Sequence, residues 1–471
     1  MPSRRRASVV LPAASSSAGV RLGPPAMSHY PLLRHARLDA IFARRAGVPV
    51  TVEDFLLDVA ALSRVLPHHH HVVNLCVDRY RFAVGLAAAL QRGQLTLLPP
   101  STVPLPLAQL IDDRGDAYYL TDERQPEGLA PGFAYPDDLE RSAGAADIPS
   151  IAADAPAVVL FTSGSTGRPQ AHGRSWGALV RSARAAGARL GIAGINGATL
   201  LGTVPHQHSY GLESLIMLAL QHGLTLDDKR LFYPADIRSA LALTPRPRLL
   251  VTTPIHLRIL VAELGEFPPA DLLLSATAPL SPQIAREAEA RFAASLYEIY
   301  GCSEAGQLAV RRTVADEEWR CLDGITLRED AGGTFAAGAL IDAETRLSDV
   351  IELHDRERFL LHGRVADLVN IAGKRTSVAH LNHHLNAIPG VRDGAFMLPK
   401  REDSDGSVTR LVAFAVAPGF EPGAILAALR QRVDPAFLPR PLYIVDALPR
   451  DAVGKLSHEA AQRLAGQAEQ P

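Results

Sequence analysis

Cysteine is scarce in this 471-residue chain: Cys76, Cys302 and Cys321 are the three, widely spaced and without a CxxC pair. That scarcity argues against a disulfide framework or a structural zinc site and fits a reducing compartment, so a cytoplasmic location is expected. Excess charge is missing too. Forty-eight basic against fifty acidic side chains leave a formal charge of -2, so nucleic acid has no overall electrostatic footprint to bind. No apolar run approaches the roughly 20 residues that span a bilayer, and no integral membrane segment is expected. Internal repeats and coiled-coil heptads are absent. So is a Walker A loop, since neither "GKRTS" nor "VGKLS" completes GxxxxGK[ST]. Partners must therefore be argued from local sites.

What is present is ordinary globular composition, 47% hydrophobic and 21% charged, in a chain long enough for two or three domains. The start is arginine-rich with no acid before Asp39, and a second Met stands at position 27. Residues 1–27 are expected to be a disordered extension. Beyond Tyr30, short apolar runs alternate with helix-length amphipathic segments. "VVNLCV" (72–77) reads as a strand, "YRFAVGLAAALQRG" (80–93) as a helix and "LTLLP" (95–99) as a strand, the rhythm of a βαβ unit. The rhythm recurs with strands at "AVVLFTS" (157–163), "LLGTVP", "RLLVTTP" and "DLLLSAT", and with helices at 176–190 and 211–223. An α/β fold of layered, mostly parallel sheets covered by helices follows, with ligands at the carboxyl ends of strands.

From about Gly324 to His362 helical patterning gives way to short β-like pieces, and a separate β-rich layer is expected there. After Arg364 a compact βα pattern resumes, with a helix at "VAHLNHHLNAI", strands at "GAFMLP" and "RLVAFAVA", and a helix near 423–433. The expected division is a large domain over 28–363 and a small α+β domain over 368–466.

The densest chemistry lies in "TSGSTGRPQ" (162–170), between a buried strand and a helix. Gly164 and Gly167 allow close backbone approach, while Thr162, Ser163, Ser165 and Thr166 add hydroxyls beside exposed N–H groups. Polyphosphate is the natural ligand of such a loop.

This loop resembles "TSGSTGxPK" of the adenylate-forming superfamily, which comprises acyl-CoA synthetases, peptide-synthetase adenylation domains and luciferases. Further motifs follow in that family's order. "PHQHSYGL" (205–212) resembles "PxxHxxG", "SATAPL" (275–280) resembles "SGGAPL", and "YGCSEAG" (300–306) resembles "YGxTE". "LSDV" with "HGRVADLVNIAGKR" resembles "TGD" followed by "GRxxDxxxxxGxx", Asp349 standing fifteen residues before Arg364. "LPRDAVGKL" (448–456) resembles the closing "LPRTxxGKI". One such match is weak; six in order are specific.

The resemblance implies an ATP site made of Thr162, Ser163, Gly164, Ser165, Thr166, Gly167, Gln170, Ala276, Thr277, Tyr300, Gly301, Ser303, Asp349, Arg364 and Gly373. Mg²⁺ would rest on Glu304 and Thr162, a task for hard oxygen ligands. Asp349 would accept from both ribose hydroxyls, and Lys455 would stabilise charge at the α-phosphate during in-line attack. With Lys455, the resemblance counts His208 and Arg364 as catalytic, and His208, Tyr210 and Gly211 as the wall of the acyl pocket. It also implies a mobile C-terminal lid that turns about a hinge at 364–367, with Gly373 lining the path of a thiol. The activity implied is ATP-dependent joining of a small carboxylic acid to CoA or to an acyl carrier protein. The segment 74–101 looks most like compact ligases of aryl polyene and xanthomonadin-type pigment pathways, which take an aromatic acid. A short- or medium-chain acyl-CoA synthetase and a degenerate adenylate-binding protein are the alternatives.

Other features have plainer readings. "HQH" (206–208) and "HHHH" (68–71) could suggest metal ligands but lack a companion carboxylate or cysteine at ligand spacing. "GCSEA" has Ala305 where a GxSxG nucleophile elbow needs glycine. Cys302, Trp176 and Trp319 read as packing residues. Several positions depart from the family pattern: Gln170 for lysine, Ser303 for threonine, Ser348 for glycine, Ala366 at the hinge and Asn382 for glutamate. Gln170 removes a charge-assisted phosphate contact of about 1 to 2 kcal/mol. Arg168, His172 and Arg174 are the candidates to replace that charge.

Overall fold

The structure, a computed structural model, describes residues 28–99, 104–124, 131–141, 147–162, 170–195, 197–364, 368–371, 374–398, 411–450, 456 and 458–468. The expected extension 1–27 lies outside the described residues, as do Ser163, Gly164, Ser165, Thr166, Gly167, Arg168, Ala366, Gly373 and Lys455.

Two large sheets carry the fold. The first has six strands in the order Gln170–Ser175, Pro156–Thr162, Leu95–Leu98, His71–Asn74, Ala117–Thr121 and Gly132–Ala134. All its pairings are parallel except the first. The second has eleven strands, and its centre is parallel from Ser295–Cys302 through Leu272–Ser275, Arg248–Thr252, Thr199–Gly202 and Thr225–Arg230 to Ile41–Arg45. Antiparallel strands extend both of its margins.

Period-two alternation gives each sheet two cores. Leu200, Leu249 and Leu272 share a core with Val72, Leu98 and Leu160 of the first sheet, and with Leu179 and Leu215 from helices. Their neighbours Leu201, Leu250 and Leu273 join a second core with Ile237, Leu257 and Phe292. The helix Arg79–Gln91 is buried on nearly all sides, as an uninterrupted apolar "FAVGLAAAL" requires. Its first turn is capped by Asp78, which accepts from the backbone of Tyr80 and Arg81 at 2.8 and 3.1 Å. The Arg79 side chain, fully buried, donates to the carbonyls of Gly202, Asp227 and Lys229 at 2.5–3.2 Å. It ties a helix of the first sheet to strand ends of the second.

Between 324 and 362 the strands divide. Ile325–Asp330, Gly333–Gly338 and Thr345–Arg346 form their own sheet, whereas Asp349–Leu353 and Arg358–Arg364 join the eleven-stranded one. The stretch is therefore not a single separate layer: Phe359 packs with Tyr300 and Trp319 of the large sheet, which draws its strand there. Beyond Arg364, Leu381, Leu385, Phe396, Ala413 and Ile425 form a core of their own, closed by the helix Pro422–Leu429. No helix among the described residues is long and apolar enough to cross a membrane.

Candidate active site

The strand Pro156–Thr162 and its antiparallel partner Gln170–Ser175 flank the phosphate-type loop, with Thr162 opposite Gln170. The helix expected at 176–190 runs over Trp176–Arg189, capped by Ser175, so the strand Gln170–Ser175 stands between it and the loop. The loop is thus delivered by a strand pair, not by a helix N-terminus. The return strand is hidden in the sequence because the side chains it turns inward are polar: His172 is half-buried and Arg174 buried, while Ala171 and Gly173 are exposed. Gln170 is exposed at the loop's edge.

His172 Nε2 stands 3.9 Å from Glu304 Oε1, so the loop's flank meets the expected metal carboxylate. Arg174 is buried, with Nη1 3.8 Å from Glu213 Oε1 and Nε 3.9 Å from Asp342 Oδ2, so two carboxylates already face the guanidinium expected as a candidate replacement charge. Glu213, itself buried, accepts from Ser182 Oγ and Ser209 Oγ at 3.0 Å each and from the backbone of Gln307 at 3.2 Å. Sequence gave no sign of this network, because Glu213 sits inside an apolar run. Gly306 is required beside it: its φ is +79°, and a Cβ there would strike the Arg174 guanidinium.

The strand Ser295–Cys302 and the turn after it place Tyr300, Gly301, Ser303 and Glu304 at the carboxyl end of the sheet. Tyr300 Oη donates to Asp349 Oδ2 at 2.8 Å, and the tyrosine ring is fixed by Trp319 and Phe359. Asp349 opens its strand directly opposite Arg364. Burial and the neighbouring Glu304 push the Cys302 thiol up to about 12, which leaves no nucleophilic thiolate near neutral pH. Trp176 and Trp319 are core residues, as read from sequence.

Ala276 and Thr277 follow the adjacent strand Leu272–Ser275. Thr277 has φ +81°, a strained conformation for a β-branched residue and one that concentrates at functional sites. Below it, buried Glu298 accepts from the Leu280 backbone at 3.2 Å and from Arg311 at 2.7 Å. Glu298 therefore anchors the "SATAPL" turn, a role that sequence reasoning missed.

In "PHQHSYGL", buried His206 bonds through Nε2 to the Cys76 carbonyl at 2.9 Å, and Gln207 donates to the same oxygen. His208, half-buried, stands at the N-cap of the helix that starts at Ser209. Tyr210 Oη donates to the Thr252 carbonyl at 3.1 Å, and burial raises its pKa well above the ordinary phenol value. Gly211 allows contact with Pro205, whose carbonyl a Cβ would strike. Leu212–Met217 then form a π-helical turn, a feature frequent at functional sites.

The histidine tract has the companion that sequence spacing concealed. Asp116 takes His69 Nδ1 and His70 Nδ1 at 2.5 Å each, held there by the neighbouring strands His71–Asn74 and Ala117–Thr121. Among the described residues no group of three or more His, Cys, Asp or Glu is arranged to hold a metal. Glu304, 35% exposed, fits a cation that takes one protein carboxylate and completes its shell with phosphate oxygens.

The family described as AMP-binding enzyme matches residues 21–328. The chain is 30% identical over 312 residues to a 4-coumarate–CoA ligase of Halorhodospira halophila, covering 64% of this chain and 74% of that one. It is 28% identical over 276 residues to a 4-coumarate–CoA ligase of Rhodobacter capsulatus, covering 59% and 67%. Among solved structures, ATP-bound MatB from Rhodopseudomonas palustris superposes with a TM-score of 0.74 at 18% identity, over 91% of this chain and 97% of that one.

Proposed function

The chain belongs to the AMP-binding enzyme family, and from that premise we propose that it is an ATP-dependent acid–thiol ligase that activates an aromatic carboxylic acid and passes it to CoA. In the first half-reaction a carboxylate oxygen attacks the α-phosphorus of ATP, the bond to the β-phosphate bridging oxygen breaks, and pyrophosphate leaves. In the second, a thiolate attacks the acyl carbonyl, and AMP departs with the electron pair of the cleaved acyl–oxygen bond.

The observation that carries this reading is convergence at one end of the sheets. His172, two residues from Gln170, meets Glu304; Tyr300, four residues before Glu304, holds Asp349. Motifs far apart in sequence thus lie at one end of the sheets, which supports a nucleotide site there. Asp349, oriented by Tyr300, receives the ribose hydroxyls, and Gln170 with the hydroxyls of the loop receives the leaving phosphates. Glu304 would hold a Mg²⁺ ion, which would supply charge neutralisation on those phosphates. His208 and Tyr210 border the acyl group, with Gly211 letting the wall come close. Lys455 reaches the α-phosphate, and a C-terminal lid over 368–466, turning at 364–367, exchanges Lys455 for the Gly373 segment between the two half-reactions. The 4-coumarate–CoA ligase relatives favour an aryl acid.

The test is acid-dependent exchange of ATP with labelled pyrophosphate across aryl and aliphatic acids, followed by thioester formation with CoA and with a carrier protein. Exchange should be strongest with an aryl acid, and Lys455→Ala should lower it at least about a hundredfold. Exchange absent with every acid would favour an adenylate-binding protein without turnover. Thioester formed on a carrier protein and not on CoA would move the acceptor.

A further inference from the structure

The helix Val378–Asn386 carries His380, His383 and His384, none of which the ligase reading uses. Leu381 and Leu385 fix its orientation, since both are fully buried in the small core beyond Arg364. Ser377 caps its start, accepting from the His380 backbone at 3.0 Å. The same hydroxyl donates to the His362 carbonyl, so the helix is tied to the strand Arg358–Arg364. His380 and His384 stand four residues apart and share one face. Their Nε2 atoms are 3.2 Å apart, with the rings nearly perpendicular at 82°. His362 sets its ring 5.9 Å from that of His380, and its Nε2 lies 2.8 Å from Glu352 Oε2. His383 faces elsewhere, along the cleft lined by Thr277 and Ser281.

We propose that His380 and His384 form a binding site for a divalent transition-metal ion of the zinc, nickel or copper class. Two nitrogens 3.2 Å apart, each about 2.0 to 2.1 Å from a zinc ion, subtend about 100° at the metal. That angle lies between the octahedral and tetrahedral values, so the spacing is already a chelating bite, as for the two histidines of HExxH on a helix. Both rings are half-buried, and an ion can reach them. Burial and the neighbouring imidazoles hold His380 at about 4, and burial lowers His384 as well. Each ring is therefore neutral near pH 7, the form that binds metal. As the pair stands, one Nε2–H donates to the other Nε2. Metal binding moves that hydrogen to the same ring's Nδ1, a tautomer change that releases no proton. The charged side chains that face His384, Arg432 and Glu317, are of opposite sign. Two protein ligands are fewer than a closed structural zinc site uses, and the remaining positions belong to water. Imidazole nitrogen also sets this site apart from Glu304: hard Mg²⁺ suits carboxylate and phosphate oxygens, whereas a softer ion suits the histidines.

The full chain, stripped of metal by a chelator, should bind Zn²⁺ in calorimetric titration. His380→Gln and His384→Gln should each weaken that binding at least about tenfold, because loss of an outer hydrogen-bonding partner alone costs about 10- to 100-fold. The tract at 68–71 with Asp116 is the other place where imidazoles gather, so the control is the double variant His69→Gln, His70→Gln, which should keep the affinity within about twofold. X-ray absorption on the zinc-loaded wild-type chain needs no variant and should count two imidazole ligands. Absence of zinc binding, equal affinity in the His380 and His384 variants, loss confined to the His69/His70 variant, or fewer than two imidazoles at the metal would each overturn the inference. None of these readouts depends on turnover, so their failure leaves the ligase reading intact.

Discussion

Gln170 tests how much of the phosphate loop's work is done by charge. Of the candidate substitutes, Arg174 has its guanidinium faced by Glu213 and Asp342, whereas His172 stands beside Glu304. If the loop binds the leaving phosphates, Gln170→Lys should lower the KM for ATP about tenfold with kcat nearly unchanged, measured by exchange kinetics. Much of this site was legible residue by residue. The family resemblance singled out Tyr300, Glu304 and Asp349, and the structure brings Tyr300 and Asp349 into contact at the end of the strand that leads to Glu304. Glu213 and Glu298 were not legible, since a buried carboxylate is distinguished from an exposed one only by what surrounds it.

Among the elements, the pair of the return strand Gln170–Ser175 and the helical stretch from Ser209 to His222 is joined by a buried ion pair. Removing one partner of such a pair leaves an uncompensated charge, at a cost of about 3 to 5 kcal/mol. Glu213→Leu should therefore lower unfolding free energy by that amount in urea titrations, and adding Arg174→Met should restore at least half of it. Recovery of stability by the double change would not occur if Ser182, Ser209 and Gln307 alone used the carboxylate. Apolar strands such as Arg248–Thr252 were readable from pattern because both faces are buried. The strand Gln170–Ser175 was not, because polar side chains fill its inward face. The split of the stretch 324–362 was equally hidden: alternation marks strands, but which sheet a strand joins depends on Phe359, Trp319 and Tyr300 meeting in space.

Across the whole molecule, buried neutral histidines set an acid limit. His35 is held at about 4 by burial, its ring against Phe42 and its Nε2 at the Leu224 carbonyl. In the unfolded chain its pKa is about 6.5. Below that value the unfolded state binds the extra proton and the folded state does not, so stability falls as pH drops from about 6.5 to about 4. The shift corresponds to about 3 kcal/mol. His35→Gln should flatten that part of the pH–stability curve by a comparable amount, read from denaturant midpoints at pH 7 and pH 4.5.

Arg79 gives the molecule a different kind of constraint. Its guanidinium grows from the first turn of a helix on one sheet and spends its donors on three carbonyls of the other. A recombination crossover placed between residues 79 and 202 would separate a cation from acceptors that no water can replace in a sealed interior. The two sheets are thus inherited together: drift in one is tolerated only while the other keeps its backbone in the same place, and shuffled halves from distant parents would meet as strangers at this one side chain.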